Sequence, residues 1–251
     1  MTRARLSVTV ITLNEEDALR RCLESVAWAD EIVVVDAEST DKTGEVARAF
    51  TDAVFVRPWP GFAAQKNFAL DHATGDWVLS LDADEEVTPE LRAEIIAVLE
   101  RPAPDVAAYA VPRRNIFWGA WVRHGGLYPD WQVRLLRRGR GRFGDVSVHE
   151  SVRVEGAVAR LQSPLLHRSY RDVADFLTRA DRYSSLAAAD RLRHGPPVNA
   201  AELVLRPLGR FLGMYVLRAG FLDGWRGFLL AALYGYYVFI RSAKVWEGAR
   251  R

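Results

Sequence analysis

Three apolar, β-branched runs constrain what this chain can fold into more than any other feature. They are LSVTVITL from Leu6, EIVVVD from Glu31 and WVLSLDAD from Trp77. Apolar and small hydroxyl residues occupy both faces of each run, as in a strand buried on both faces of a parallel sheet. Each run stops at polar or acidic residues: Thr12, Asn14 and Glu15 after the first, Asp36 in the second, Asp82 and Asp84 in the third. Helical spacing separates them, with Leu19, Cys22, Leu23 and Val26 on one face. STDKTGEVARAF opens on capping-type residues, AVFVRPW reads as a short strand, and GFAAQKNFALDHA as a helix. TPELRAEIIAVLE has Thr88 as N-cap and Pro89 at the first helical position. Strands alternating with helices predict an α/β fold, a sheet with helices on both faces. Ligands of such sheets bind beyond the carboxyl ends of the strands, where Thr12, Asn14, Asp36, Asp82 and Asp84 all fall.

The acidic cluster Asp82, Asp84, Glu85 and Glu86 follows an apolar strand directly. Like charges so close repel, so positive charge belongs beside them. Asp82 and Asp84 are two apart, on one side of an extended segment, and two hard oxygen donors suit Mg²⁺ or Mn²⁺ completed by substrate phosphates. The competing reading gives the acids to the N-terminus of the next helix, and it suffices for Glu85 and Glu86. Thr12, Asn14 and Glu15 offer hydrogen bonds to a flat base, and Asp36 can accept from a base N–H or a ribose hydroxyl. Neither a dinucleotide fingerprint nor a P-loop is present. A nucleotide-sugar site is the reading these features share.

VTVITLNEEDALRRCLESV, EIVVVDAESTDKT, AAQKNFAL and VLSLDADE together resemble the donor half of family 2 glycosyltransferases. PDWQVRLLRRG, VHE, LLHRSY and LRAGFLDGWRGFLLA are similar to a branch that builds the lipopolysaccharide inner core. The resemblance implies a GT-A-type, Rossmann-like mixed sheet, mainly parallel, with C-terminal amphipathic helices. It implies an inverting transfer from a nucleoside-diphosphate sugar, a UDP-hexose, with a divalent metal. Residues 1–104 would form the donor half, 105–200 the acceptor half of the same domain, and 201–251 a membrane-associating region. Thr12, Asn14, Glu15 and Asp36 would hold the nucleoside, with Asp41 in the same shell. Lys66 would approach the diphosphate or the sugar, unless it is a solvated helix residue. Asp82 and Asp84 would bind metal and diphosphate, Asp84 directly.

Inversion needs a carboxylate to take the acceptor hydroxyl's proton. Glu150, in SVHESV, is preferred over its rival Asp130, in YPDWQ. Trp131, Gln132 and Arg134 are candidates for the acceptor, an indole stacking on sugar and an arginine gripping phosphate. His149 joins them, and His167, with Tyr170 beside it, is a candidate third metal ligand. The arginine-rich RLLRRGRGR carries no nucleic-acid motif, and the net charge is only +2, so an anionic acceptor or membrane surface fits better than nucleic acid.

A single cysteine, Cys22, excludes an internal disulfide, and the short apolar run at the N-terminus does not read as a signal peptide. A cytoplasmic enzyme on the inner face of the plasma membrane is expected. From Arg206 to Trp246 the chain is apolar with arginines throughout. Its charge-free run, Gly227 to Ile240, is shorter than the roughly twenty residues a spanning helix needs. Helices lying in a leaflet are therefore expected, and an oligomer interface such as a homodimer's is the other use of such faces. A sugar nucleotidyltransferase and a non-catalytic nucleotide-binding scaffold are the alternative functions. The first usually carries a glycine-rich phosphate loop after its first strand, which TLNEEDA is not.

Overall fold

The computed structural model describes residues 3–144, 151–196 and 198–250. They divide into two compact units. The first holds 3–113, 130–144 and 151–167; the second holds 114–129 and, apart from 197, 168–250.

The first unit begins β1 (Leu6–Thr12), α1 (Glu16–Val26), β2 (Glu31–Asp36), α2 (Thr43–Arg48), β3 (Val54–Val56), α3 (Phe62–His72), β4 (Trp77–Asp82), β5 (Glu85–Val87) and α4 (Pro89–Glu100). Every residue of β1 is buried, and β1 lies between β2 and β4, parallel to both. That is the environment suited to its apolar residues and to the small hydroxyl residues Ser7, Thr9 and Thr12 between them. Val8 and Val10 share a core with Leu19 and Leu23 of α1 and Leu91 and Ile95 of α4. Ile11, Val33 and Val35 share another with Ala69 of α3. Helices therefore cover both faces, as the alternation predicts. Helix α4 starts where expected: Thr88 Oγ1 accepts from Leu91 N at 3.1 Å, with Pro89 at its first turn.

Beyond β4 the sheet turns antiparallel. It is built by β6 (Val106–Phe117), β8 (Asp130–Arg137) and β12 (Leu165–Tyr170), in the order β3-β2-β1-β4-β8-β6-β12-β5. Strand β7 (Ala120–Trp121) pairs antiparallel with the end of β6. Strands β9 (Gly141–Gly144) and β10 (Ser151–Val154) form a separate hairpin. One pairing departs from the antiparallel expectation: β11 (Ala157–Arg160) runs parallel to β6.

The second unit carries the β6–β7 hairpin, whose tip residues Trp118 and Gly119 have φ of 48° and 76°. Two left-handed residues in succession make the tight loop whose twist matches antiparallel strands. The helices are α5 (Val173–His194), α6 (Ala200–Leu212) and α7 (Gly224–Gly248), with a π turn at Gly213–Leu217 and a 3₁₀ turn at Gly220–Asp223. Phe176 and Ala180 of α5 pack on Leu233 of α7. The start of α7 lies so close to the 3₁₀ turn that a Cβ on Gly227 would sit 1.8 Å from the Gly220 oxygen. Helix α7 runs well past the charge-free stretch Gly227 to Ile240. Lys244 is accommodated inside it because Asp181, Ser184 and Ser185 of α5 take its ammonium at 2.7 to 2.8 Å. By length and composition alone, Gly220–Gly248 is long and apolar enough to cross a membrane.

Candidate active site at the strand ends

Because β1, β2 and β4 are parallel, their carboxyl ends share one edge. Register places Thr12 beside Asp36, and Ile11 beside Asp82. Thr12 and Asp36 are only 4% and 3% exposed. The loop after β2 folds back over them. Ser39 donates to Asp36 Oδ1 from its N–H at 3.2 Å and its hydroxyl at 2.5 Å. Asn14 takes a left-handed conformation that its short amide tolerates, and its Oδ1 accepts from Thr40 N at 2.8 Å. Glu15 N donates to Thr43 Oγ1 at 2.9 Å. Burial works against the charge of Asp41, but the hydroxyl and N–H of Thr43 more than offset it and leave the carboxyl below its ordinary range. The sequence reading missed Ser39, Thr40 and Thr43. Their signal is the cluster of short hydroxyl side chains three to seven positions after Asp36.

The acidic cluster receives the positive charge it needs, from three elements. Lys66 of α3, 1% exposed, sits 2.8 Å from Asp82 Oδ1. Arg134 of β8, 3% exposed, donates from one nitrogen to Asp82 Oδ2 and Glu85 Oε1, both at 2.6 Å. Arg113 of β6 approaches Glu85 Oε1 at 3.5 Å and donates twice to Asp130 Oδ2, at 2.9 and 2.5 Å. Gln132 donates to Asp130 Oδ1 at 2.8 Å. Three cations and three carboxylates therefore alternate in one network. Burial raises the cost of charge on Asp82, but Lys66 and Arg134 hold its carboxyl far below the usual range. Asp130 is likewise desolvated yet kept low by Arg113.

Several expectations need correction here. Asp82 and Asp84 do not share one side of a strand, because β4 ends at Asp82 and the chain turns through Ala83 and Asp84. Asp82 faces Lys66 and Arg134, whereas Asp84 Oδ2 faces His167 Nε2 at 3.4 Å. Glu85 does not serve the helix N-terminus. It is fully buried between Arg113 and Arg134, and its Oε2 accepts from Asp82 N at 3.1 Å, which fixes the turn. Glu86 pairs with Arg21 at 3.1 Å. Lys66 is no solvated helix residue. Arg134, expected at the acceptor, lies inside the carboxylate network because β8 pairs with β4 and carries it next to Asp82. Trp131 lies in this unit under Arg160, whose guanidinium is 4.6 Å from the ring. Tyr170 falls in the second unit, against Phe117 and Phe176. Glu150 and His149 lie outside the described residues.

Asp84 and His167 reach each other because β5 and β12 pair antiparallel, with His167 opposite Glu85. No group of three or more His, Cys, Asp or Glu able to hold a metal ion occurs among the described residues. Two adjacent protein donors do suit a cation whose other ligands are phosphate oxygens and water.

A mixed sheet of this order, with carboxylates gathered at the ends of its parallel strands, is the GT-A-like architecture. The chain belongs to glycosyl transferase family 2, whose profile matches residues 7–160. A lipopolysaccharide core biosynthesis glycosyltransferase, LpsC of Rhizobium meliloti, is 32% identical over 250 residues, 96% of this chain and 92% of its own. An uncharacterized glycosyltransferase of Rickettsia typhi is 30% identical over 97% of this chain and 87% of its own. Among solved structures, the mannosyltransferase PcManGT of Pyrobaculum calidifontis, in complex with GDP-Man and Mn²⁺, covers 98% of this chain and 88% of its own, with a TM-score of 0.57 and 19% identity. Staphylococcus aureus TarS in complex with UDP-GlcNAc covers 98% and 91%, with a TM-score of 0.51 and 16% identity. At such identities these two likenesses speak for the fold alone.

Proposed function

We propose that this glycosyltransferase moves a hexose, with inversion, from a UDP-sugar to a lipid-linked or lipopolysaccharide-core acceptor. The observation that carries the reading is the split of labour at the strand ends. Asp82 is neutralised by Lys66 and Arg134, while Asp84 and His167 stand together 3.4 Å apart. Thr12 and Asp36 line the nucleoside end with Asn14, Glu15 and Asp41 behind them. The buried Thr12 hydroxyl has no hydrogen-bond partner among the described residues, which is what a bound ligand would supply. Lys66, held on Asp82, would approach the diphosphate or the sugar. Asp84 and His167 would hold the divalent metal, Mg²⁺ or Mn²⁺, which when bound offsets charge on the departing diphosphate. Asp130 is a poor proton acceptor, because Arg113 and Gln132 occupy its oxygens and hold it ionised. Glu150 is therefore kept as the base. Trp131 and Gln132 remain the acceptor candidates on β8. The acceptor class comes from the lipopolysaccharide relative.

The second unit would lie in the inner leaflet of the plasma membrane. Its exposed residues include Leu205, Leu208, Leu217, Leu222 and Trp225, each more than half exposed, with Arg206 and Arg218 among them. Helix α7 is long enough to span, but its packing on α5 commits one face to protein. An interfacial position keeps the apolar residues in lipid and the arginines at headgroups.

Calorimetric titration of UDP, with and without Mn²⁺, into wild type and Asp84→Ala tests the donor site. Metal-dependent binding that the substitution abolishes is the expected result. Equal binding without metal would overturn the role of Asp84, and a preference for GDP would reassign the base.

A further inference from the structure

Trp121 in the second unit carries two arginines on one ring. The guanidinium carbons of Arg114 and Arg123 lie 4.2 and 4.1 Å from its centroid. Tyr128 closes edge-on at 5.1 Å. Two like charges held on one indole repel one another, and neither guanidinium has a carboxylate partner among the described residues. Asp223, which meets the backbone at Arg123, is already engaged. It accepts from the backbone N–H groups of Arg123 and His124 and from the His124 ring. Two further donors are stranded: the indole Nε1 of Trp121 and the Nε of Arg114 are buried without an acceptor among the described residues.

We propose that Arg114, Trp121 and Arg123 form a binding site for a phosphoryl group. A stacked guanidinium keeps its N–H fork free at the edge of the ring, the geometry that grips phosphate oxygens two at a time. The anion relieves the repulsion between the arginines and gives the buried indole N–H its acceptor. The hairpin that positions the ring is stiff, its tip fixed by the left-handed pair Trp118 and Gly119 and by Arg226 donating to the Trp118 carbonyl at 3.1 Å. The phosphate belongs either to a phosphorylated sugar or to a lipid headgroup. Only the use of this site for an acceptor rests on the proposed function; the phosphate chemistry does not.

The Trp121 indole resonance, assigned by its loss in Trp121→Phe, reads the site in a proton–nitrogen spectrum. Glucose 6-phosphate, glucose, and the dihexanoyl forms of phosphatidylglycerol and phosphatidylcholine serve as probes. A saturable shift with glucose 6-phosphate and none with glucose is expected, weakened about tenfold in Arg123→Gln. A shift with phosphatidylglycerol alone supports the site and assigns the phosphate to the bilayer. Silence with glucose 6-phosphate and with phosphatidylglycerol, or a response that Arg123→Gln leaves unchanged, overturns the proposal. UDP affinity measured on the same samples reads the first unit separately. Wild type that binds glucose 6-phosphate but no nucleotide would sink the glycosyltransfer scheme and leave this site standing.

Discussion

The carboxylate network of the first unit and the arginine–aromatic pairs of the second use positive charge in different ways. In the first, Lys66, Arg134 and Arg113 are neutralised by Asp82, Glu85 and Asp130, and two of the cations are almost wholly buried. In the second, Arg114, Arg123, Arg210, Arg226, Arg241 and Arg250 lie over aromatic rings. The difference follows from what surrounds them. A cation taken into a sheet interior must find a carboxylate, whereas an arginine at a half-wet surface can cover apolar rings and keep its edge in solvent. The first arrangement fixes geometry. The second leaves charge available for a surface or a ligand.

Glu85→Ala should break that contrast most severely. It leaves Arg113 and Arg134 short of a partner in a buried site, and a loss of about 3–5 kcal/mol is expected in urea unfolding. A loss below about 1 kcal/mol, the level of an exposed pair, would mean that the network is not a buried one. The second unit should fail on packing instead. Gly227→Ala places a Cβ against the Gly220 carbonyl, and roughly 1–3 kcal/mol should be lost on thermal unfolding, with no change in UDP affinity.

The pH response should sort the units as well. The carboxyls of Asp82 and Asp130 are depressed in the folded chain. Their stabilisation is therefore complete above the unfolded value of about 3.9 and is lost as pH falls toward the folded values. Acid unfolding followed by circular dichroism should show stability steady near neutrality and declining below about pH 4, and Asp82→Asn should flatten the decline. The smallest effect on stability is expected from Leu217→Asp with Leu222→Asp. Both positions are exposed, so unfolding should move by no more than about 0.5 kcal/mol each. Sedimentation with anionic vesicles should nevertheless be lost, and binding that survives would remove the leaflet reading.

The central strands were legible in the sequence because burial on both faces writes a run of apolar and β-branched residues interrupted only by small hydroxyls. Their ends were legible because polar residues there have no other reason to interrupt it. Glu85 was not legible. Its burial depends on Arg113 and Arg134, which are brought to it by β6 and β8 from 28 and 49 residues away. Nothing near Glu85 distinguishes it from its neighbour Glu86. Lys66 was ambiguous for the same reason, since helical spacing gives its face and only the sheet supplies Asp82. The end of α7 was not legible, because a charge-free run stops at Arg241 and cannot see that Asp181 and two serines of α5 stand ready for Lys244.

The pairing of β5 with β12 has a consequence for the order in which this molecule becomes competent. Asp84 and His167 are brought together by a ladder between segments some eighty residues apart. During synthesis the parallel strands β1, β2 and β4 leave the ribosome first, and local contacts close before distant ones. A nascent chain ending before β12 holds the nucleoside-side residues and lacks His167. Any ion that needs both ligands finds them only after the last strand of the first unit has zipped into place, so ion affinity would time the completion of folding.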